Sequence, residues 1–229
     1  MHQPTITQEL LLLCHGPLAG RPLVDGTRMA CGVAGAMVTE LALGGRISIE
    51  DDRITAPQGA AATGDPSLDA LLGRIATEKR PRPVKWWVQK TQSGGLRNEA
   101  LRSAVGAGLL RHEQWRLLGI FPANDYYPTD PQQREDLRQR MAAALGWQGG
   151  HGDHRAVALL ALCDAVGAGS KLFPDLTGRE RRKLVKQAAQ NDQIGRAVAS
   201  VIRSIQAGTS GAAAAAAGGG GDGGGGGGC

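Results

Sequence analysis

The stretch Thr27–Leu43 constrains this chain more than any other part of it. Met29, Val33, Met37 and Leu41 recur every four residues, which draws one apolar stripe along a helix. Ala30, Gly32, Ala34, Gly35 and Ala36 fill the positions between, and its charges are Arg28 and Glu40 alone. Side chains this small let neighbouring backbones come close, so the helix belongs in the middle of a core. Gly44-Gly45 ends it.

Other helices are available to surround it. Thr7-Gln-Glu9 leads into Leu10–Leu13 as a short capped helix. Asp65-Pro66 starts another, with the cap and the first-turn proline in their favoured places and Leu68, Leu71, Leu72 and Ile75 inward. Val84, Trp87 and Val88 mark a short helix that Gly94-Gly95 ends, and Leu96–Ala107 forms the next. Asp130-Pro131 opens a helix with Leu137, Met141 and Leu145 inward, and Asp153 opens the apolar Val157–Val166. Thr177-Gly-Arg-Glu180 is a capping box for a basic helix, and Ile194, Val198, Val201, Ile202 and Ile205 give a last amphipathic one. Arg46–Ile54 alternates around Asp51-Asp52 as a β-hairpin does, and Leu109–Phe121 gives a second hairpin. The expected fold is mainly α: one globular domain over residues 5–206, a central helical core wrapped by amphipathic helices, with two small β-hairpins. Residues 207–229, rich in Ala and Gly, have nothing large and apolar to bury and are expected to stay flexible.

Charge narrows the choice of partner. With Asp222 of the tail set aside, 26 Lys and Arg face 20 Asp and Glu, a net charge of +6. Such an excess suits phosphate-bearing partners, either nucleic acid or an anionic membrane surface, and also suits plain solubility. The longest apolar runs fall far below the ~20 residues of a membrane-spanning helix, and the N-terminus lacks a signal-peptide layout. The four cysteines, Cys14, Cys31, Cys163 and Cys229, form no close pair. Together these features imply a cytoplasmic protein with reduced thiols.

No catalytic constellation is evident: there is no phosphate-binding glycine loop after a strand and no nucleophile elbow. His151-Gly-Asp-His154 lacks the further ligands a metal needs, so neither a metal nor a cofactor is expected. The basic residues are better organised. Lys79, Arg80, Arg82, Lys85 and Lys90 surround Trp86 and Trp87, and Arg97 and Arg102 follow on the next helix. Arginine suits phosphate because its planar fork donates two parallel hydrogen bonds. Trp87 reads as core; Arg97, Lys85, Lys90 and Arg102, with Arg28 near the start of the central helix, form a candidate headgroup site. The basic run Arg179–Lys186 reads as a solvated face. Phe121, Tyr126 and Tyr127 at the second hairpin either meet a lipid interface or another subunit, or fold back on the adjacent helix.

The segment from Gly35 through Glu40-Leu-Ala-Leu-Gly-Gly-Arg46 resembles the small-residue helix of the Golgi phosphoprotein 3 family, which ends in Glu-Leu-Ala-Leu-x-Gly-Arg. Thr7–Leu13, Trp87-Val88, Gly108-Leu-Leu110 and Ala158–Leu162 match in the same order, so the resemblance runs from Ile6 to about Ile205. It implies a non-enzymatic peripheral membrane protein that binds phosphatidylinositol 4-phosphate, engages membrane-protein clients and self-associates through a hairpin. The Ala-, Gly- and Arg-rich composition points to a bacterial member. At the family's pocket positions this chain holds Asp25, Ala34, Gly94 and Arg97; of the family's Trp and three Arg, only Arg97 remains. Two other readings stand beside this one. Helix-then-hairpin, occurring twice, also describes a winged-helix nucleic-acid binder, but Thr27–Leu43 has too few polar side chains to read bases. An adaptor without a lipid ligand is the other.

Overall fold

Helix α2 (Gly26–Leu43) is enclosed by α1 (Ile6–Cys14), α4 (Val84–Thr91), α5 (Gly94–Gly106), α7 (His154–Ala165) and α10 (Gln193–Ala217). The computed structural model describes residues 3–18, 20–57, 59–117, 120–146, 153–189 and 193–217. The small residues of α2 act as expected. A Cβ on Gly32 would lie 2.6 Å from Val166 Cγ1, and one on Gly35 would lie 2.3 Å from Ile205 Cδ1. The chain therefore passes α7 and α10 at distances only glycine allows.

Glu40, in the Glu-Leu-Ala-Leu segment, explains why a carboxylate closes this helix. It accepts the Ile6 amide at 2.5 Å and Arg155 at 3.0 Å, so the end of α2 satisfies the start of α1. Arg155 also binds the buried Glu9 at 2.8 Å, and Arg140 reaches the same carboxylate at 3.1 Å. Four helices meet through this network, since Arg140 lies on α6 (Pro131–Gly146). Helix α1 is capped by Thr5, in a capping box with Gln8, rather than by the Thr7 region expected from sequence; Thr7 is buried.

The first hairpin pairs β1 (Ser48–Glu50) with β2 (Arg53–Thr55), Ile49 facing Ile54. Asp51 and Asp52 make the two-residue turn with φ of 47° and 65°, the left-handed pair such a turn requires. A third strand, β3 (Arg82–Pro83), adds to β2. Between them, α3 (Pro66–Thr77) is capped by Asp65 and buries Leu68, Leu71, Leu72 and Ile75 as expected. The second hairpin is longer than its pattern suggests: β4 (Leu110–Leu117) pairs with β5 (Phe121–Pro128) along eight positions. Tyr126 faces His112 and Tyr127 faces Arg111. They therefore stand toward the hairpin's base, not at a projecting tip. The side chain of Phe121 lies outside the described residues.

After α6 and α7 come α8 (Gly169–Leu172) and α9 (Gly178–Ala189), the latter opened by the Thr177–Glu180 capping box. Arg181 departs from the expected solvated face: it is buried and bonded to Asp164 at 2.8 Å. Helix α10 runs to Ala217, its last six residues being alanine, the strongest helix former. Residues 218–229, with Cys229, lie outside the described residues, as does His151. The whole is one mostly helical domain with two small antiparallel sheets. Among the described residues, no helix is long and apolar enough to cross a membrane.

Candidate functional site at the start of the central helix

Asp25 caps α2, its Oδ1 accepting from the amides of Thr27 at 3.0 Å and Arg28 at 2.9 Å. Its other oxygen lies 3.4 Å from Nε of Arg28. At this end the aligned peptide dipoles of an 18-residue helix concentrate positive potential. Two arginines converge there. Arg97, from the first turn of α5, lays its guanidinium against Gly26: a Cβ on Gly26 would be 2.2 Å from Arg97 Nη1. Arg28 reaches Gly167, just beyond α7, where its Nη1 would sit 3.0 Å from an added Cβ. Gly167 has φ of +89°, where a residue with a side chain would be strained.

Arg97 is half-buried, and its partners are few. Nη2 donates to the neutral Asn98 side chain at 3.3 Å, while Nε is buried with no acceptor. Among the described residues no carboxylate pairs with it, whereas the half-buried Arg155 and the buried Arg181 both have carboxylates. A guanidinium held this way beside a helix N-terminus can receive an anion with little rearrangement.

A third cation joins from α8. Lys171 Nζ donates to the Leu23 carbonyl at 2.5 Å, two residues before the Asp25 cap. Sequence reasoning missed it, since the two residues are 148 apart along the chain. Gly26 and Gly167 were missed too; a glycine directly after a capping aspartate was the available signal. Cys31, one turn further along α2, donates to Gln92 at the end of α4. Burial first and Asp25 second push its thiol above the ordinary range, so it stays protonated.

The other expected residues are distributed differently. Arg102 lines a separate groove of about 320 Å³ between α5 and the second hairpin, with Asn98, His112, Asn124 and Tyr126. Asn98 connects this groove to Arg97. His112 Nε2 lies 2.8 Å from Asn124 Oδ1, and its ring stacks on Tyr126 with centroids 4.7 Å apart. Tyr127 packs on Gly20 and under Arg111, whose Cζ is 4.3 Å from its ring centre. Lys85 and Lys90 are exposed on α4, and no contact joins them to Arg97. Trp87 is core, as read, and Trp86 stands edge-on to it at 4.9 Å.

Among curated proteins, no match to the chain is found. The family model of Golgi phosphoprotein 3 (GPP34), however, matches residues 6–205, from the first residue of α1 to the buried Ile205 that closes α10 over Gly35. The match spans nearly all of the described fold, with the small-residue helix at its centre, and the chain belongs to the Golgi phosphoprotein 3 family.

Proposed function

We propose that this protein is a non-enzymatic peripheral membrane protein that attaches by holding an anionic phospholipid headgroup at the start of α2. By family resemblance the headgroup is that of phosphatidylinositol 4-phosphate, and the protein works on the cytoplasmic face of a membrane. The observation that carries this reading is Arg97: half-buried, laid against Gly26, its Nε without an acceptor and its charge without a carboxylate. Arg28 and Lys171 add positive charge on the same helix end. Asp25 already occupies two of the free helix amides, so the arginine side chains, rather than the backbone, would supply the phosphate contacts.

Each basic residue near an anionic surface contributes about 1 kcal/mol, so these three support reversible attachment. Cosedimentation with phosphatidylcholine vesicles carrying phosphatidylinositol 4-phosphate tests the reading, with phosphatidylcholine alone as reference. Much stronger binding is expected to the charged vesicles, and Arg97→Ala should weaken it roughly tenfold. Equal binding to both vesicles, or an Arg97→Ala protein that binds like the parent, sinks it.

A further inference from the structure

A second cavity, of about 980 Å³, lies between the β1–β2 turn, α7, α9 and α10 and shares no residue with the Arg97 site. Its size is that of a small-ligand pocket. Ile49, Ala161, Ala199 and Ile202 give it an apolar floor. Charge is largely sorted by element around that floor: the carboxylates Glu50, Asp51 and Asp52 come from the β1–β2 turn and Asp164 from α7, while Arg182 and Lys186 come from α9 and Arg196 and Arg203 from α10.

Some of these charges are already satisfied. Asp52 accepts from Ser200 and from Arg203 at 3.1 Å, and Asp164 is held by Arg181. Glu50 and Asp51 are exposed, with no ion-pair partner among the described residues. The same is true of Lys186 and Arg196, and Arg182 spends only its Nε, on the Gly178 carbonyl at 2.9 Å. The cavity thus presents two unpaired carboxylates from one element and three unpaired cations from two others, over an apolar floor. A ligand that meets all three features carries an ammonium group, a phosphate and a hydrocarbon chain.

We infer that this cavity binds a zwitterionic amphiphile of the phosphoethanolamine type. Its ammonium group meets Glu50 and Asp51, its phosphate meets Arg182, Lys186 and Arg196, and its chain covers Ile49 and Ile202.

Titration calorimetry with lysophosphatidylethanolamine, kept below its self-association concentration, tests this. Lysophosphatidylglycerol, which lacks the ammonium, and phosphoethanolamine, which lacks the chain, are the comparison ligands. Both should bind at least roughly tenfold more weakly, the worth of one good contact. The double variant Glu50→Gln/Asp51→Asn should lower the affinity for lysophosphatidylethanolamine to that for lysophosphatidylglycerol. Asparagine tolerates the left-handed turn position, and both side chains are exposed, so the fold should be kept. Arg182→Gln/Lys186→Gln should weaken both lipids. Ligand-induced amide shifts in the unaltered protein, expected at the β1–β2 turn, α9 and α10, provide a reading independent of any variant. Absence of binding, equal affinity for the two lysolipids, indifference to the acid-to-amide change, or shifts centred elsewhere would each overturn the inference.

Discussion

At Gly26 an added methyl would meet only the guanidinium of Arg97, Nη1 first and Cζ at 3.5 Å, the far end of a flexible side chain. The fold can accommodate that contact by turning the guanidinium aside. Gly26→Ala should therefore leave the unfolding midpoint within about 0.5 kcal/mol of the parent. Binding to anionic vesicles should fall nonetheless, because the arginine no longer lies on the helix end. A variant that binds normally would disconnect Gly26 from the site. His15 offers a second test at this scale. It is buried, its Nδ1 is 2.7 Å from the Leu11 carbonyl and so must carry the proton, and its ring meets Tyr126 edge-on. Burial, opposed by that hydrogen bond and aided by Arg134, lowers its pKa below 6.5. The unfolded chain then binds the proton more readily, so the contribution is intact above 6.5 and lost as pH falls toward the folded value. The urea midpoint should drop across that window, and His15→Asn, which keeps a donor for Leu11, should flatten the drop. Arg97 and Arg28 were legible as candidates because arginine advertises itself. Lys171 and the two glycines were not, because their roles exist only once distant segments meet.

Elements were legible where local chemistry and burial agree. Asp65-Pro66 and Thr177–Glu180 cap helices in the structure as they do on paper, and the four-residue stripe of α2 is buried with glycine at both close approaches. Gly35→Ala would place its methyl 2.3 Å from Ile205 Cδ1 and 3.4 Å from Val201 Cγ1. Neither neighbour has room to withdraw in a filled core, so the substitution should cost about 1–3 kcal/mol despite alanine's better helix propensity. Chemical denaturation would show it, and an unchanged midpoint would mean that α10 can move away freely. The second hairpin was legible as a hairpin but not in its full length, for the opposite reason. Asn124-Asp125 between prolines looks like a turn, yet pairing with β4 holds it extended, and Pro122 and Pro128 are tolerated because each strand of a two-stranded ribbon is an edge. Tyr126 and Tyr127, for which both an outward contact and folding back were open readings, consequently pack at the base against His15, His112 and Gly20.

With the tyrosines at the base, the apolar character left on the outer hairpin belongs to other residues. Ile120, in the turn between β4 and β5, is 72% exposed, and Trp115 is 38% exposed with its indole nitrogen bonded to Asp125 at 2.8 Å. A peripheral protein attached through α2 alone would be held by charge and released by salt, since screening shortens from about 10 Å at 0.1 M to about 3 Å at 1 M. A hairpin tip that also enters the lipid interface adds a salt-resistant part, because burying an isoleucine is worth about 1.5–3 kcal/mol. The two parts make different predictions for the same vesicles. Arg97→Ala should remove most of the salt-sensitive binding and leave the remainder at high salt, whereas Ile120→Ser should remove that remainder and leave the salt-sensitive part. Trp115 emission should shift to the blue on binding in the parent and in Arg97→Ala at high lipid, but not in Ile120→Ser. If Ile120→Ser instead leaves vesicle binding intact at every salt concentration and converts a dimer to a monomer in sedimentation, the tip faces another copy of the chain, and the membrane contact rests on the arginine site alone.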